Sequence, residues 1–283
     1  MTIADVLAEA AGRLTGAGIE TGRLDAEVLL RHILATDRTG LFLRKQKPLA
    51  HTEFAAFDEL IERRLAREPV AYLTGVREFM GLPFAVGPGV LVPRPETEFL
   101  VEWAARWLAE QPSATVVDVG TGSGAIAVSL AANVPSGWRG RVFAGDVSPE
   151  ALAYAAQNRA AHVRSGRLQL VRGSLLSWCR GPIDLVLANL PYLRPDQIRE
   201  QPDVRPEPAL ALDGGVDGLD LIATLLCDAP RVLAPAGAIA LEVDPSHAAR
   251  VDSLARSSFP TASVRVERDL AGLDRFVLVE SAT

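Results

Sequence analysis

Downstream of residue 115 the chain alternates short apolar runs with helical stretches, and no other feature limits its possible folds so sharply. The runs cover residues 115–119, 141–144, 168–171 and 185–188, and several are rich in valine. Helical stretches at 125–132 and 149–161 lie between them. A strand that is apolar throughout is covered on both faces, and an intervening helix lets the next strand run parallel to it. The pattern predicts an α/β domain with a parallel sheet and helices on both faces. Residues 238–243, 262–266 and 276–280 offer later strands. Residues 194–218 hold Pro195, Pro202, Pro206 and Pro208 and read as one long irregular stretch. Loops of that length in compact domains are often functional.

Upstream, the periodicity is helical. Ile3, Val6, Leu7, Ala10 and Leu14 form one apolar stripe, ended at Gly16 and Gly18. Leu24, Val28, Leu29, Ile33 and Leu34 form a second, and Phe54, Phe57, Leu60, Ile61 and Leu65 a third. Three such stripes predict the core of a small helical bundle. No catalytic constellation falls on them. Residues 78–92 then scatter Gly81, Pro83, Gly87, Pro88 and Gly89 among short apolar pieces. That composition predicts a hairpin or linker, with a domain boundary near it.

Composition argues against several classes of function. A chain of 283 residues holds one large domain, or one typical domain and a small one. No apolar stretch is long enough to span a bilayer. The first residues, with Asp5 and Glu9, lack the basic region and apolar run of a secretion signal. A net charge of −6 runs against a phosphate-gripping surface. Arg63, Arg64 and Arg67 cluster, but Glu59, Glu62 and Glu68 interleave them, which predicts a solvated helix face. Cys179 and Cys227 form no C-x-x-C pair, and His32, His51, His162 and His247 are scattered. No metal site is expected, and two reduced thiols suit a cytoplasmic protein.

The first chemical signal is Val117-Asp118-Val119-Gly120-Thr121-Gly122-Ser123-Gly124, which follows an expected strand and opens a helix. Glycines there let the backbone turn sharply and approach a ligand closely. A dinucleotide fold instead spaces its glycines G-x-G-x-x-G, with helix amides facing a pyrophosphate. Here the spacing is G-x-G-x-G behind an acid, which suits a cofactor without phosphate. Asp118 could hold a cationic amino group, directly or through water, where a pyrophosphate would be repelled. Asp146 ends the next strand, where a carboxylate can accept hydrogen bonds from both ribose hydroxyls. S-adenosylmethionine fits these features best; a dinucleotide, or a tight turn that binds nothing, are the alternatives.

The second signal is the strand running into Asn189-Leu190-Pro191-Tyr192. An amide or aromatic amine nitrogen is a poor nucleophile because its lone pair is delocalised. The Asn189 side-chain oxygen and the Leu190 carbonyl can each accept one N–H, turn the lone pair toward a methyl group and stabilise developing positive charge. Tyr192 can pack on the planar group. The alternative is an Asn-capped turn that Pro191 stops.

Together these residues resemble the HemK-type release factor glutamine methyltransferases over nearly the whole chain. The likeness includes Glu68-Pro69-Val70-Ala71-Tyr72-Leu73-Thr74-Gly75, Glu78-Phe79 and Val92-Pro93-Arg94-Pro95-Glu96-Thr97-Glu98. It continues through the glycine loop, Asp146, Asn189 to Tyr192, Glu207-Pro208-Ala209-Leu210 and Gly214-Gly215-Val216-Asp217-Gly218. The resemblance implies a helical substrate-recognition domain at 1–76, a β-hairpin linker at 77–95 and, at 96–283, a seven-stranded Rossmann-like class I methyltransferase domain. It implies methyl transfer from S-adenosylmethionine to the glutamine of Gly-Gly-Gln in class 1 peptide release factors; from composition, no direct nucleic-acid binding, membrane or metal is expected. Asp118 and Gly120, Thr121, Gly122, Ser123 and Gly124 would then face the methionine part of the cofactor. Asp146, with Val147 beside it, would take the ribose, Ser174 and Leu175 would border the adenine, and Asn189 to Tyr192 would hold the glutamine.

Two features depart from that pattern, one at Leu190 and one at Ser174 and Leu175. Leu190 stands where the family has proline; the carbonyl survives but the fixed φ does not. Ser174 and Leu175 replace an acid followed by an aromatic residue. A ribosomal-protein glutamine, an exocyclic base nitrogen, or a cofactor- or partner-binding role without turnover are the alternative functions.

Overall fold

A computed structural model describes residues 1–135 and 137–281. The chain divides into two compact units, Met1–Val76 with Pro202–Pro206, and Arg77–Gln201 with Glu207–Thr283.

The first unit is helical: α1 (Ile3–Gly16), α2 (Gly22–Ile33), α3 (Arg38–Arg44), α4 (His51–Leu65) and α5 (Val70–Thr74). Thr2 starts α1 with a capping box, its hydroxyl accepting from Asp5 N while Asp5 accepts from Thr2 N. Asp37 caps α3 by accepting from Gly40 N at 2.7 Å. The core joins Val6, Leu14, Leu29, Phe57 and Ile61, drawn from all three stripes.

The second stripe holds at Leu29, with Ile33 and Leu34 packed against the core, and fails at Leu24. Leu24 is 57% exposed, while Asp25, Ala26 and Leu30 are buried. The reason is electrostatic. Arg64, expected on a solvated face, is also buried, and its Nε donates to Asp25 at 2.8 Å. Asp203 adds a second carboxylate at 3.3 Å. A buried charge needs such partners, so an apolar-stripe reading discards the residues that orient α2 and α4. Arg63 and Arg67 are likewise paired, with Glu68 and Asp203.

The second unit opens with the hairpin β1 (Val76–Phe79) and β2 (Leu82–Ala85). Its two-residue turn, Met80-Gly81, has positive φ at both positions, 52° and 73°, as the right-handed twist of paired strands favours. The hairpin is docked: Ala85 N donates to Asn158 Oδ1 at 2.7 Å, and Asn158 Nδ2 returns a bond to Ala85 O at 3.0 Å.

The main sheet contains β3 (Thr115–Val119), β4 (Arg141–Asp146), β5 (Leu168–Arg172), β6 (Ile183–Asn189), β7 (Leu233–Glu242), β8 (Ser263–Arg268) and β9 (Asp274–Glu280). Their order is β5-β4-β3-β6-β7-β9-β8. All pairings are parallel except those of β9, which is antiparallel to both neighbours. Helices α6 (Glu98–Ala109), α7 (Ala125–Asn133), α8 (Pro149–His162), α9 (Pro195–Glu200), α10 (Asp220–Asp228) and α11 (Ala248–Ser258) complete the unit. This is the seven-stranded, mostly parallel α/β sheet that the resemblance implies. β7 begins five residues earlier than the apolar run suggests, because a register shift between Ile183 and Leu185 accommodates its partly exposed, Pro- and Gly-bearing start. Within 194–218, α9 and a short 3-10 turn at Ala209–Ala211 order part of the stretch expected to be irregular.

Candidate active site

Chain order reverses between β3 and β6, which lie side by side at the centre of the sheet. Open α/β sheets bind ligands at this switch point, beyond the carboxyl ends of the strands. β3, β4 and β6 end there at Val119, Asp146 and Asn189.

The loop after β3 holds Gly120, Gly122 and Gly124 at φ of 71°, 56° and 83°. At Gly120 a side chain would be strained by that φ, and its Cβ would meet Leu190 Cδ2 at 3.0 Å. Gly120 N and Thr121 N both donate to Gly145 O, at 2.9 and 3.0 Å. Asp118, 1% exposed, staples the turn: its Oδ2 accepts from Thr121 Oγ1 at 2.6 Å and Ala127 N at 3.2 Å. Its Oδ1 is buried without a hydrogen-bond partner. Burial pushes the Asp118 carboxyl up to about 7, against the pull of those two bonds.

Asp146 closes the loop from the next strand, its two oxygens accepting from Gly122 N and Ser148 N, each at 2.9 Å. Ser123 is buried, and its carbonyl accepts from Asn158 Nδ2 at 2.8 Å. Val147 leaves an apolar side chain 42% exposed beside Asp146. Beyond β5, Ser174 is exposed, and Leu175 is half-buried at a φ of 45°.

The acceptor edge is assembled differently. Asn189 Nδ2 donates to Thr97 Oγ1 at 3.0 Å, and Thr97 Oγ1 donates to Glu242 Oε2 at 2.7 Å. Asn189 and Glu242 are register partners across β6 and β7. Glu242 is 2% exposed, and burial pushes its carboxyl up to about 7, opposed by the Thr97 bond and by Arg275. Leu190 is buried in the sheet core and packs toward Gly120, which couples this edge to the glycine loop. Pro191 and Tyr192 are partly buried; burial also raises the Tyr192 phenol well above its usual range, so it stays neutral.

Two motifs without an assigned role meet here. Glu207, buried, accepts from Val92 N at 2.8 Å and pairs with Arg94 Nη2. It thereby ties the Pro-Arg-Pro-Glu-Thr-Glu segment to the long loop. Gly214 lies so close to Pro191 and Tyr192 that a Cβ would fall 2.7 Å from Pro191 O and from Tyr192 Cα. Thr97, Glu207 and Glu242 therefore belong to the site although sequence reasoning gave them no role. Thr97 and Glu207 sat inside resemblance motifs; the only sign of Glu242 was a carboxylate within an apolar strand. Among the described residues, no group of three or more His, Cys, Asp or Glu could hold a metal, and no helix is long and apolar enough to cross a membrane.

Comparison with known proteins gives consistent matches. Residues 5–75 match the PrmC N-terminal domain, and residues 116–201 a methyltransferase domain. The release factor glutamine methyltransferase of Moorella thermoacetica is 43% identical, covering 98% of each chain. The protein of the same name from Deinococcus radiodurans is 40% identical over 100% of this chain and 99% of its own. A methyltransferase structure from Pyrococcus furiosus shares the fold at a TM-score of 0.53 and 18% identity, over 80% of this chain and 100% of that one.

Proposed function

This chain belongs to the release factor glutamine methyltransferase family, and from that premise we propose that it methylates the side-chain nitrogen of glutamine in the Gly-Gly-Gln motif of class 1 peptide release factors, using S-adenosylmethionine. The observation that carries this reading is the packing of Leu190 toward Gly120, which joins the Asn189 edge to the glycine loop.

The residues fit the cofactor. Asp118 Oδ1, buried and unpartnered, is an acceptor suited to a cationic ammonium. Each Asp146 oxygen already takes one amide and keeps a lone pair for a ribose hydroxyl. Val147 and Leu175 offer apolar surface to the adenine beside Ser174. Gly120 to Gly124 line the methionine part. S-adenosylmethionine supplies a methyl carbon activated by a sulfonium.

The protein's own contribution is orientation and electrostatics. Asn189 Oδ1 and the Leu190 carbonyl each accept one N–H of the substrate amide. That rotates the nitrogen lone pair out of conjugation and toward the methyl carbon. As the new N–C bond forms, the nitrogen gains positive charge, and both hydrogen bonds strengthen. The methyl group would come from the sulfonium, whose sulfur would keep the bonding pair, and the nitrogen would then lose one proton to solvent. Tyr192, held neutral, packs on the planar amide. Leu190 replaces a proline ring without removing the carbonyl, and its buried side chain holds the turn by packing.

The test is mass spectrometry of an unmodified class 1 release factor incubated with this protein and S-adenosylmethionine. One added methyl on the Gly-Gly-Gln glutamine is expected. Asn189→Ala should lower turnover by about 10²–10³-fold, as removal of one charge-stabilising group does. No methyl transfer despite demonstrated cofactor binding would overturn the assignment.

A further inference from the structure

Asn189 is useful to an amide substrate only if its oxygen faces that substrate. A carboxamide can rotate by half a turn and present its NH₂ group instead, which would repel the substrate N–H. Something must choose between the two faces. The hydrogen-bond chain behind Asn189 supplies a means. Asn189 Nδ2 donates to Thr97 Oγ1 at 3.0 Å, and Thr97 donates onward to Glu242 Oε2 at 2.7 Å. Thr97 is 5% exposed and Glu242 2%, so water does not compete for these groups.

We propose that Glu242 and Thr97 are positioning residues that lock the direction of the Asn189 carboxamide and so turn its oxygen toward the acceptor nitrogen. This rests on the glutamine methyltransferase reading. The logic is one of donor supply. An ionised carboxylate can only accept. It therefore commits the single hydroxyl proton of Thr97, and the hydroxyl oxygen can then only accept from Asn189. The amide NH₂ is drawn inward and the oxygen is left outward. A proton on Glu242 removes the constraint, because the chain then has a donor at its buried end and can run in reverse.

Burial already pushes the Glu242 carboxyl up to about 7, so this control operates near neutrality. The charged and titratable groups that act on it are Thr97's neighbours Arg94 and Glu96 on one side, Arg275 from β9 and Tyr192 from the turn after β6. Arg94 and Arg275 favour the carboxylate, Glu96 opposes it, and the Tyr192 phenol stays neutral. With S-adenosylmethionine saturating, kcat is expected to fall as pH drops below about 7, following the protonation of Glu242.

The experiment compares the wild-type chain with Thr97→Val, Thr97→Ser and Glu242→Gln on an unmodified release factor. It measures kcat, KM, cofactor Kd and melting temperature over pH 6–8. Thr97→Val should lower kcat by about 10–100-fold, the scale of a misoriented reacting group, with cofactor Kd within about twofold. Thr97→Ser should restore most of the lost turnover, since it returns the hydroxyl. Glu242→Gln should lower kcat and abolish its dependence on pH. A Thr97→Val enzyme with unchanged kcat, a serine variant that fails to rescue, or an unaltered pH profile in Glu242→Gln would each overturn the inference. A wild-type chain that methylates nothing would overturn the functional reading instead, and is distinguished by the absence of any parent activity.

Discussion

The two edges of the switch point are built from opposite materials. The cofactor edge is local: Asp118 binds Thr121 three residues away and Ala127 nine away, and Asp146 binds Gly122 across 24. The acceptor edge is long-range: Asn189 reaches Thr97 across 92 residues, Thr97 reaches Glu242 across 145, and Glu207 reaches Val92 across 115. A local site is specified by one loop and one strand and tolerates change elsewhere. A long-range site depends on the packing of the whole unit. The difference suits the chemistry. A small cofactor needs a fixed cradle, while an amide presented by another protein needs an orientation set by several elements.

The sharpest way to break this contrast is at the cofactor edge. Asp146→Ala removes the acceptor for Gly122 N and Ser148 N and the proposed ribose contact together. Hydrogen bonds to a charged group are each worth about 1.5–3 kcal/mol. S-adenosylmethionine affinity should therefore weaken by roughly 10–150-fold in calorimetry. Affinity for the release factor should stay within about threefold if the edges are independent. Equal losses of both would show that the acceptor edge leans on the loop, through Leu190 and Gly120, more than the hydrogen bonds suggest.

The same contrast governs how much could be read in the sequence. Asp118 to Gly124 and Asp146 were legible because their pattern is contiguous and its reason is backbone geometry. The inner strands were legible because burial on both faces leaves apolar runs, and the edge strands β5 and β8, only partly buried, still carried short apolar runs. Asn189 to Tyr192 was legible as a strand end with chemistry attached. Thr97, Glu207 and Glu242 were not, because a role defined by partners about a hundred residues away has no local signature. The helical unit failed in the same way at one point. Apolar periodicity assigned Leu24 to the core, whereas a buried ion pair between Asp25 and Arg64 set the face of α2. The attachment of Pro202–Pro206 to that unit likewise left no mark in composition.

At the acceptor edge the contrast is sharpened by Glu207→Ala. The change leaves Val92 N without its acceptor and Arg94 without its carboxylate. An abandoned buried donor costs about 1–3 kcal/mol; Arg94 is 34% exposed, so water softens its share. At about 2–4 °C per kcal/mol for a unit of this size, the melting temperature should fall by several degrees. Methyl transfer should fall with it, because the Pro-Arg-Pro-Glu-Thr-Glu segment that carries Thr97 is released. Cofactor affinity should hold. A variant with native melting behaviour and native turnover would remove Glu207 from the site and leave Thr97 held by its bonds to Asn189 and Glu242.

The smallest expected effect concerns Asp118, whose buried Oδ1 has no hydrogen-bond partner. Folded, its carboxyl titrates near 7, raised by burial; unfolded, it would titrate near 3.9. A group raised in this way adds stability that is full below about pH 4 and is lost as pH rises through about 7. A bound ammonium acts in the opposite sense, because it favours the carboxylate and lowers the pKa. Below pH 7, cofactor binding must therefore expel a proton from Asp118. With the bound carboxyl well below 6, S-adenosylmethionine Kd should rise by roughly eightfold between pH 7.5 and 6, with proton release visible as a buffer-dependent heat. Asp118→Asn should bind more weakly at pH 7.5 and lose most of the dependence. A wild-type Kd that is flat over this range would mean that Asp118 only staples the loop. The ammonium would then be held by backbone carbonyls, and the local edge would work by shape without charge.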